Sequence, residues 1–301
     1  MALLALVPLL GLVELGLHLK QTGSDVVPES DWTAARDAVK ADLRPDDLVV
    51  FAPFWADPLG RRSFGDAIAT IAREGRPDVT RFPRAFEVSI RGEHDGELAG
   101  WKKLSEKRIG KITVTELENP QPAKVITDLV TLVRPDALTV SRVEPTGATT
   151  PCVFQRGVSS GGSTVVPQGT LTPADRFVCG AGHVGVAVLH ALDHHPHLCI
   201  FASPMAPATL RLEFKGVTFG GSLHGHSGIQ WISERSPTPE RIELAFSAFD
   251  RPLGEHSHKV GVGWVGYEFP TPELAGKKGD LVAEISGPPG QRHYCFEADT
   301  R

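Results

Sequence analysis

The sequence predicts a two-domain α+β protein: a small three-layer α/β domain over residues 30–118, then a β-sandwich over 119–301, preceded by an N-terminal apolar helix. Three observations predict it. Helix-type and strand-type periodicities alternate up to about residue 118. Beyond Asn119-Pro120, short β-type runs follow one another between turn residues. The 301-residue chain is long enough for two cores, and its 31 Gly and 24 Pro favour turns and short strands. A net charge of -5 supplies no basic stripe and argues against a nucleic-acid partner.

Residues 1–20, MALLALVPLLGLVELGLHLK, are nearly all apolar from Ala2 to Leu19. The segment lacks the basic start and A-x-A-like cleavage site of a secretory signal. Its length is near the minimum of about 17 residues for a membrane span. Glu14 inside it is costly in a span unless it faces a partner or the interface. It reads as an uncleaved anchor, or the last span of a larger membrane protein, in preference to a buried helix. The remainder of the chain is then expected at the cell membrane on the extracytoplasmic side.

DWTAARDAVKADL begins with an N-cap candidate, Asp31, and continues in helix formers. DDLVVFAP reads as a short buried strand stopped by Pro53. PLGRRSFGDAIATIAREG returns to helical spacing, with Phe64, Ile68 and Ile71 on one face and Gly75 as the stop. RAFEVSIRG and GKITVTELENP alternate as strands, and GELAGWKKLSEK reads as a weak helix between them. AKVITDLVTLV fits a strand or a short helix. RGVSSGGSTVVPQGTLTP reads as a loop. From HVGVAVLHAL to HYCFEAD the runs are β-type, GIQWISER among them.

Three conspicuous motifs compete for a function. Gly180-Ala-Gly182-His-Val-Gly185 fits a dinucleotide-binding turn, but Val184, Val186 and Val188 alternate like a strand where a helix must begin. The acid expected about 20 residues later is also missing. Gly157-Val-Ser159-Ser-Gly161 fits a nucleophile elbow, but lies in loop sequence. His190, His194, His195 and His197 surround an expected hairpin turn at Pro196, where they are expected to be solvated, and His224-Gly-His226 and His256-Ser-His258 each place two rings on one face of a strand. A zinc site wants three or four converging ligands. No third ligand stands at a motif-like spacing, so no metal, no cofactor and no catalytic residue are expected. Glu213, Glu234, Glu243, Asp250 and Glu268 offer no specific carboxylate pair for glycoside cleavage.

A quieter group is Trp231, Trp264 and Tyr267, near Glu234 and Arg235. Indole faces beside charged hydrogen-bonding groups suit a sugar ring. The expected ligand-binding set is Trp231, Glu234, Arg235 and Trp264; the competing reading fills the sandwich core with the tryptophans.

Cys152, Cys179, Cys199 and Cys295 form no C-x-x-C, and an even count behind an apolar N-terminus suggests two disulfides made in an oxidising compartment. Of three connectivities, Cys152–Cys179 is expected to staple the Gly/Ser-rich loop to the next strand, and Cys199–Cys295 to join an early sandwich strand to the last.

DWTAARDAV, DDLVVFAPFWADPLGRRSFGD, FEVSIRG and ITVTELENP resemble the extracytoplasmic domain appended to multi-span transferases that use lipid-linked sugars. RFVC, HLCIFASP, LHGHSGIQWISER and CFEADTR resemble a jelly-roll sandwich of the carbohydrate-binding type, within uncharacterised bacterial membrane-associated proteins. HKVGVGW is poorer in Asp than that pattern, which weakens a binding role for the loop before Trp264. The resemblance carries no catalytic residue. It implies a membrane-anchored, non-catalytic module whose partner is a cell-envelope glycan or a membrane protein. The alternative is an enzyme acting on envelope glycans, or one that depends on metal through its histidines.

Overall fold

The computed structural model describes residues 11–18, 20, 26–65, 78–157, 173, 175–180, 182–193, 195–202, 204–235, 239–288 and 293–301. They divide into two compact units, Met1–Ala69 with Arg84–Pro120, and Thr70–Pro83 with Gln121–Arg301.

In the first unit, strands β1 (Asp47–Ala52), β2 (Arg84–Ile90), β3 (Lys102–Ile109) and β4 (Ile112–Glu118) form a sheet in the order β1-β2-β4-β3. Only the β1–β2 pair is parallel. Helix α1 (Glu29–Lys40) buries Trp32, Ala35 and Val39, a helical spacing of three and four. Helix α2 (Asp57–Phe64) starts with Asp57 in its first turn, paired to Arg61 at 2.5 Å. Trp32 of α1 and Phe64 of α2 both meet Phe51 of β1, at ring-centroid distances of 6.3 and 5.1 Å. Both described helices therefore cover the same face, and the described part is two-layered where three layers were expected. Buried Arg84 closes the sheet end by bonding Asp47, Glu116 and Asp42.

Two local expectations differ here. α1 begins at Glu29 after Pro28, and Asp31 instead accepts the Lys111 N–H at 2.9 Å, clamping the Gly110 turn. Residues 102–109 form a strand despite their helix formers. The tight turn at Gly110, whose φ is 58°, folds them back onto β4, and their exposed Lys and Glu side chains suit a charged edge strand.

The second unit is a β-sandwich. Its strands are β5 (Thr127–Asp128), β6 (Leu138–Val143), β7 (Thr149–Pro151), β8 (Val153–Gln155), β9 (Arg176–Cys179), β10 (Gly182–His190), β11 (Pro196–Ala202), β12 (Thr209–Thr218), β13 (Ser222–Ile229), β14 (Arg241–Ala248), β15 (Arg251–Lys259), β16 (Val265–Pro270), β17 (Lys278–Ser286) and β18 (Tyr294–Thr300). One sheet runs β16-β13-β18-β11-β10-β9-β8, with β5 beside β18; the other runs β15-β14-β17-β12-β6-β7. Leu210, Leu212 and Phe214 of β12 and Leu281, Ala283 and Ile285 of β17 alternate inward against Tyr294, Phe296 and Ala298 of β18. This is the period-two burial that joins two sheets into one core.

Both disulfides form as expected, Cys152–Cys179 and Cys199–Cys295. The stretch from 179 is a β10–β11 hairpin, antiparallel, which rules out a dinucleotide turn at Gly182–Gly185. Leu129–Leu132 form a 3-10 turn after β5, settling a segment whose periodicity was ambiguous. GIQWISER leaves β13 at Ile229 and turns into a short helix, α3 (Trp231–Glu234), where a strand was expected.

The predicted membrane anchor is not supported. Among the described residues no helix is long and apolar enough to cross a membrane. Residues 11–18 are helical with Leu12, Val13, Leu15 and Leu17 exposed; residues 1–10 of the expected span lie outside the described residues. So do Ile68, Ile71, Gly75, the elbow candidate Ser159 and His194.

Candidate functional site

Strand alternation builds the site on the outer face of the first sandwich sheet. Leu223 and Ile229 of β13 join the core, so His224, His226 and Gly228 face outward. In β18, Cys295 belongs with Cys199 and Phe201 on that outer side, and Glu297 and Asp299 follow at period two. The register sets His226 opposite Glu297, His224 opposite Asp299, and Gly228 opposite Cys295.

These cross-strand pairs make a polar cluster. His226 Nδ1 and Glu297 Oε1 lie 2.7 Å apart. Burial disfavours the charged imidazole, but the hydrogen bond and charge of Glu297 outweigh it and hold the His226 pKa above the usual range. Burial also pushes the Glu297 carboxyl up, in spite of His226. Arg301 donates to Asp299 at 2.6 Å and to Asp78. Asp78 comes from the segment before the first unit's second strand, which folds with the sandwich. Burial opposes its ionisation, yet hydrogen bonds from Thr80 and Arg301 keep its pKa below the ordinary value. Burial, helped by Arg301 and His226, lowers the His224 pKa. Among the described residues His224 Nδ1 is buried without a hydrogen-bond partner, 3.9 Å from Asp78 Oδ2.

Beside the cluster lies Trp264, half-buried. His197 stacks on its indole at 4.2 Å between centroids and 9° between planes, and His226 lies parallel to it at 6.0 Å. His197 is itself fixed by Asp193, at 2.7 Å from Nε2. Burial opposes ionisation of Asp193, but His197 outweighs it and lowers the pKa. The expectation of a solvated His197 is thereby corrected: the hairpin turn folds this ring under the sheet's outer layer, and it is buried. Farther along the same face His183 stacks on Phe201 at 4.6 Å.

Under the face runs a second, sealed chain of groups. Ser227 Oγ lies 2.8 Å from His256 Nε2 and 2.9 Å from His258 Nδ1, and His258 Nε2 lies 3.2 Å from Glu234 Oε1. Serine, imidazole and carboxylate in sequence suggest acyl transfer. Ser227, His258 and Glu234 are all essentially inaccessible, however, so no substrate reaches the serine and the chain serves the core. Burial, with the charges of His258 and His226, lowers the His256 pKa to about 4.

Of the expected binding set, Trp264 occupies the outer face. Trp231 and Arg235 lie together on the α3 turn, the guanidinium 5.3 Å over the indole. Glu234 cannot touch a ligand; it accepts the Gly263 N–H at 3.3 Å and so anchors the loop that presents Trp264. Tyr267 is core, donating its hydroxyl to the Glu297 carbonyl at 2.9 Å. Glu213, Glu243, Asp250 and Glu268 form no convergent pair; Glu213 is held by Lys215 and Glu243 by Ser257. Sequence reasoning missed Glu297, Asp299, Asp78 and Arg301. The alternation Cys295, Glu297, Asp299 in the last strand was a readable signal, but its pairing with His226 was not.

The sequence matches no protein-family model, and no curated protein matches it. Among solved structures the chain is similar to the K3 cleaved adhesin domain of Lys-gingipain from Porphyromonas gingivalis, at 10% identity and a TM-score of 0.30, over 59% of this chain and 100% of that one. It is similar to TmCBM61 in complex with β-1,4-galactotriose at 14% identity and a TM-score of 0.24, over 38% of this chain and 77% of that one. It is also similar to CBM51-2 in complex with GlcNAc and INT domains, from Clostridium perfringens ZmpB, at 7% identity and a TM-score of 0.27, over 66% of this chain and 40% of that one. Likeness of this extent carries no ligand across to the present chain.

Proposed function

We propose that the sandwich is a non-catalytic glycan-binding module, with Trp264 as its stacking platform. The observation that carries this reading is the half-buried indole on the sheet's outer face, held parallel to His197 and bordered by His226 and Glu297. An indole offers a flat apolar surface for the C–H face of a pyranose, and the partly exposed His226 imidazole, fixed by Glu297, bonds a hydroxyl. The enzyme reading is weaker because the chain that most resembles a nucleophilic site, Ser227–His258–Glu234, is sealed in the core. Two disulfides suit an oxidising compartment, which favours an extracytoplasmic location. The test is a glycan-array screen of the full chain and of Trp264→Ala. Binding to a defined set of glycans that disappears in the variant supports the reading. A wild-type protein that binds none, or a variant that binds the same set, contradicts it.

A further inference from the structure

We infer that His224, His226 and Glu297 form a site for one borderline divalent transition-metal ion of the zinc class. One ligand atom from each lies within 4.8 Å of the other two. An ion with bonds of about 2.0–2.2 Å holds its donors about 3.4 Å apart in a tetrahedron, so donor shifts of roughly 1 Å complete the set, with His226 Nδ1 and Glu297 Oε1 parting from 2.7 Å. The backbone already places these donors. His-x-His on a strand puts both rings on one face, and the β13–β18 register seats Glu297 beside His226. Both strands have neighbours on each side, which keeps the donors from drifting apart.

Two further observations point to a missing ligand. Among the described residues His224 Nδ1 is buried with no hydrogen-bond partner, and a buried polar atom left in that state is uncommon enough to ask what satisfies it. The local charge also suits a cation. The carboxylates of Asp299 and Asp78 share one guanidinium, that of Arg301, which also donates to the Thr80 hydroxyl, while Glu297 faces His226. Glu297 faces the imidazole of His226, 2.7 Å away, and the ion would take the place of the proton between them. Two imidazoles and one carboxylate suit zinc and its neighbours, whereas calcium and magnesium prefer oxygen donors alone. Three protein ligands leave a fourth position open on the same face as Trp264. The inference stands on the donor geometry and does not rest on the glycan reading.

The test uses the full chain, stripped with a chelator and titrated with Zn²⁺ alone by calorimetry, with elemental analysis after desalting. The expected result is one ion per chain, lost in Glu297→Gln and in His224→Ala, and kept in Trp264→Ala. A wild-type chain that retains no ion overturns the inference, as does an unchanged stoichiometry in both site variants. Cobalt substitution of the wild-type chain needs no variant to fold: intense visible bands of a four-coordinate ion support the site, and the weak spectrum of the hydrated ion refutes it. A wild-type chain that binds Zn²⁺ but no glycan would remove the proposed function and leave the metal site standing.

Discussion

The indole of Trp264 rests on Gly228: a β-carbon at residue 228 would fall 2.6 Å from Trp264 Cε3 and 3.3 Å from Leu189 Cδ2. Neither neighbour is a free side-chain end, so one of them must move. Gly228→Val is expected to displace Trp264, with an overpacking cost of about 1–3 kcal/mol. Fluorotryptophan labelling and fluorine NMR would show the Trp264 resonance shifting while the other four tryptophans hold; an unmoved resonance refutes the seating.

Glu234 acts on the same indole from below. Its carboxylate holds the Gly263 N–H, one residue before Trp264, and also meets His258. Glu234→Ala leaves those groups unpaired in the core and is expected to cost about 1–3 kcal/mol. Ligand affinity should fall although Glu234 touches no ligand, and Glu234→Gln, which retains an acceptor for Gly263, should restore most of it. Equal losses in both variants would assign Glu234 a role other than positioning the loop.

The sealed chain gives a pH signature. Burial and the neighbouring charges of His258 and His226 hold His256 neutral down to about pH 4, below the ordinary 6.5. In the unfolded chain it takes up a proton near 6.5, so the unfolded state binds more protons between these values. This contribution to stability is fully present above about pH 6.5 and is lost as pH falls toward 4. Imidazole NMR should show a His256 resonance that stays neutral at pH 5.5; a midpoint near 6.5 would contradict the packing of this ring.

The Cys199–Cys295 bridge ties β11 to β18, the strand that carries Glu297 and Asp299, across a sequence separation of 96. Its removal as Cys199→Ala with Cys295→Ala should lower stability by about 2–5 kcal/mol. Urea denaturation measures this, and a change below about 1 kcal/mol would mean the sandwich holds these strands without help.

Much of the fold was legible because burial follows period two. Val184, Val186 and Val188 announced β10. Both disulfides took the expected pairing. Residues 102–109 were not legible, since an edge strand exposed up to its last residue has no buried face to set its periodicity, and its Lys and Glu suit helix equally. The site was half legible. His224 and His226 were visible as a same-face pair, but Glu297 lies 71 residues beyond His226 and meets it only through strand register. Asp78 was out of reach for a stronger reason, as it precedes a strand of one unit and folds with the other. Trp231 and Glu234 were misplaced because a four-residue helix is too short to show its own period.

The central claim is that Trp264, and not Trp231, presents the ligand-binding surface. Calorimetric titration of the best-bound glycan into the full chain, Trp264→Ala and Trp231→Ala tests it most directly. Truncating an aromatic anchor costs about 2 kcal/mol or more, so Trp264→Ala should weaken binding by about 30-fold or beyond, with Trp231→Ala within about twofold of wild type. Unchanged affinity in Trp264→Ala, or a loss confined to Trp231→Ala, would contradict the account.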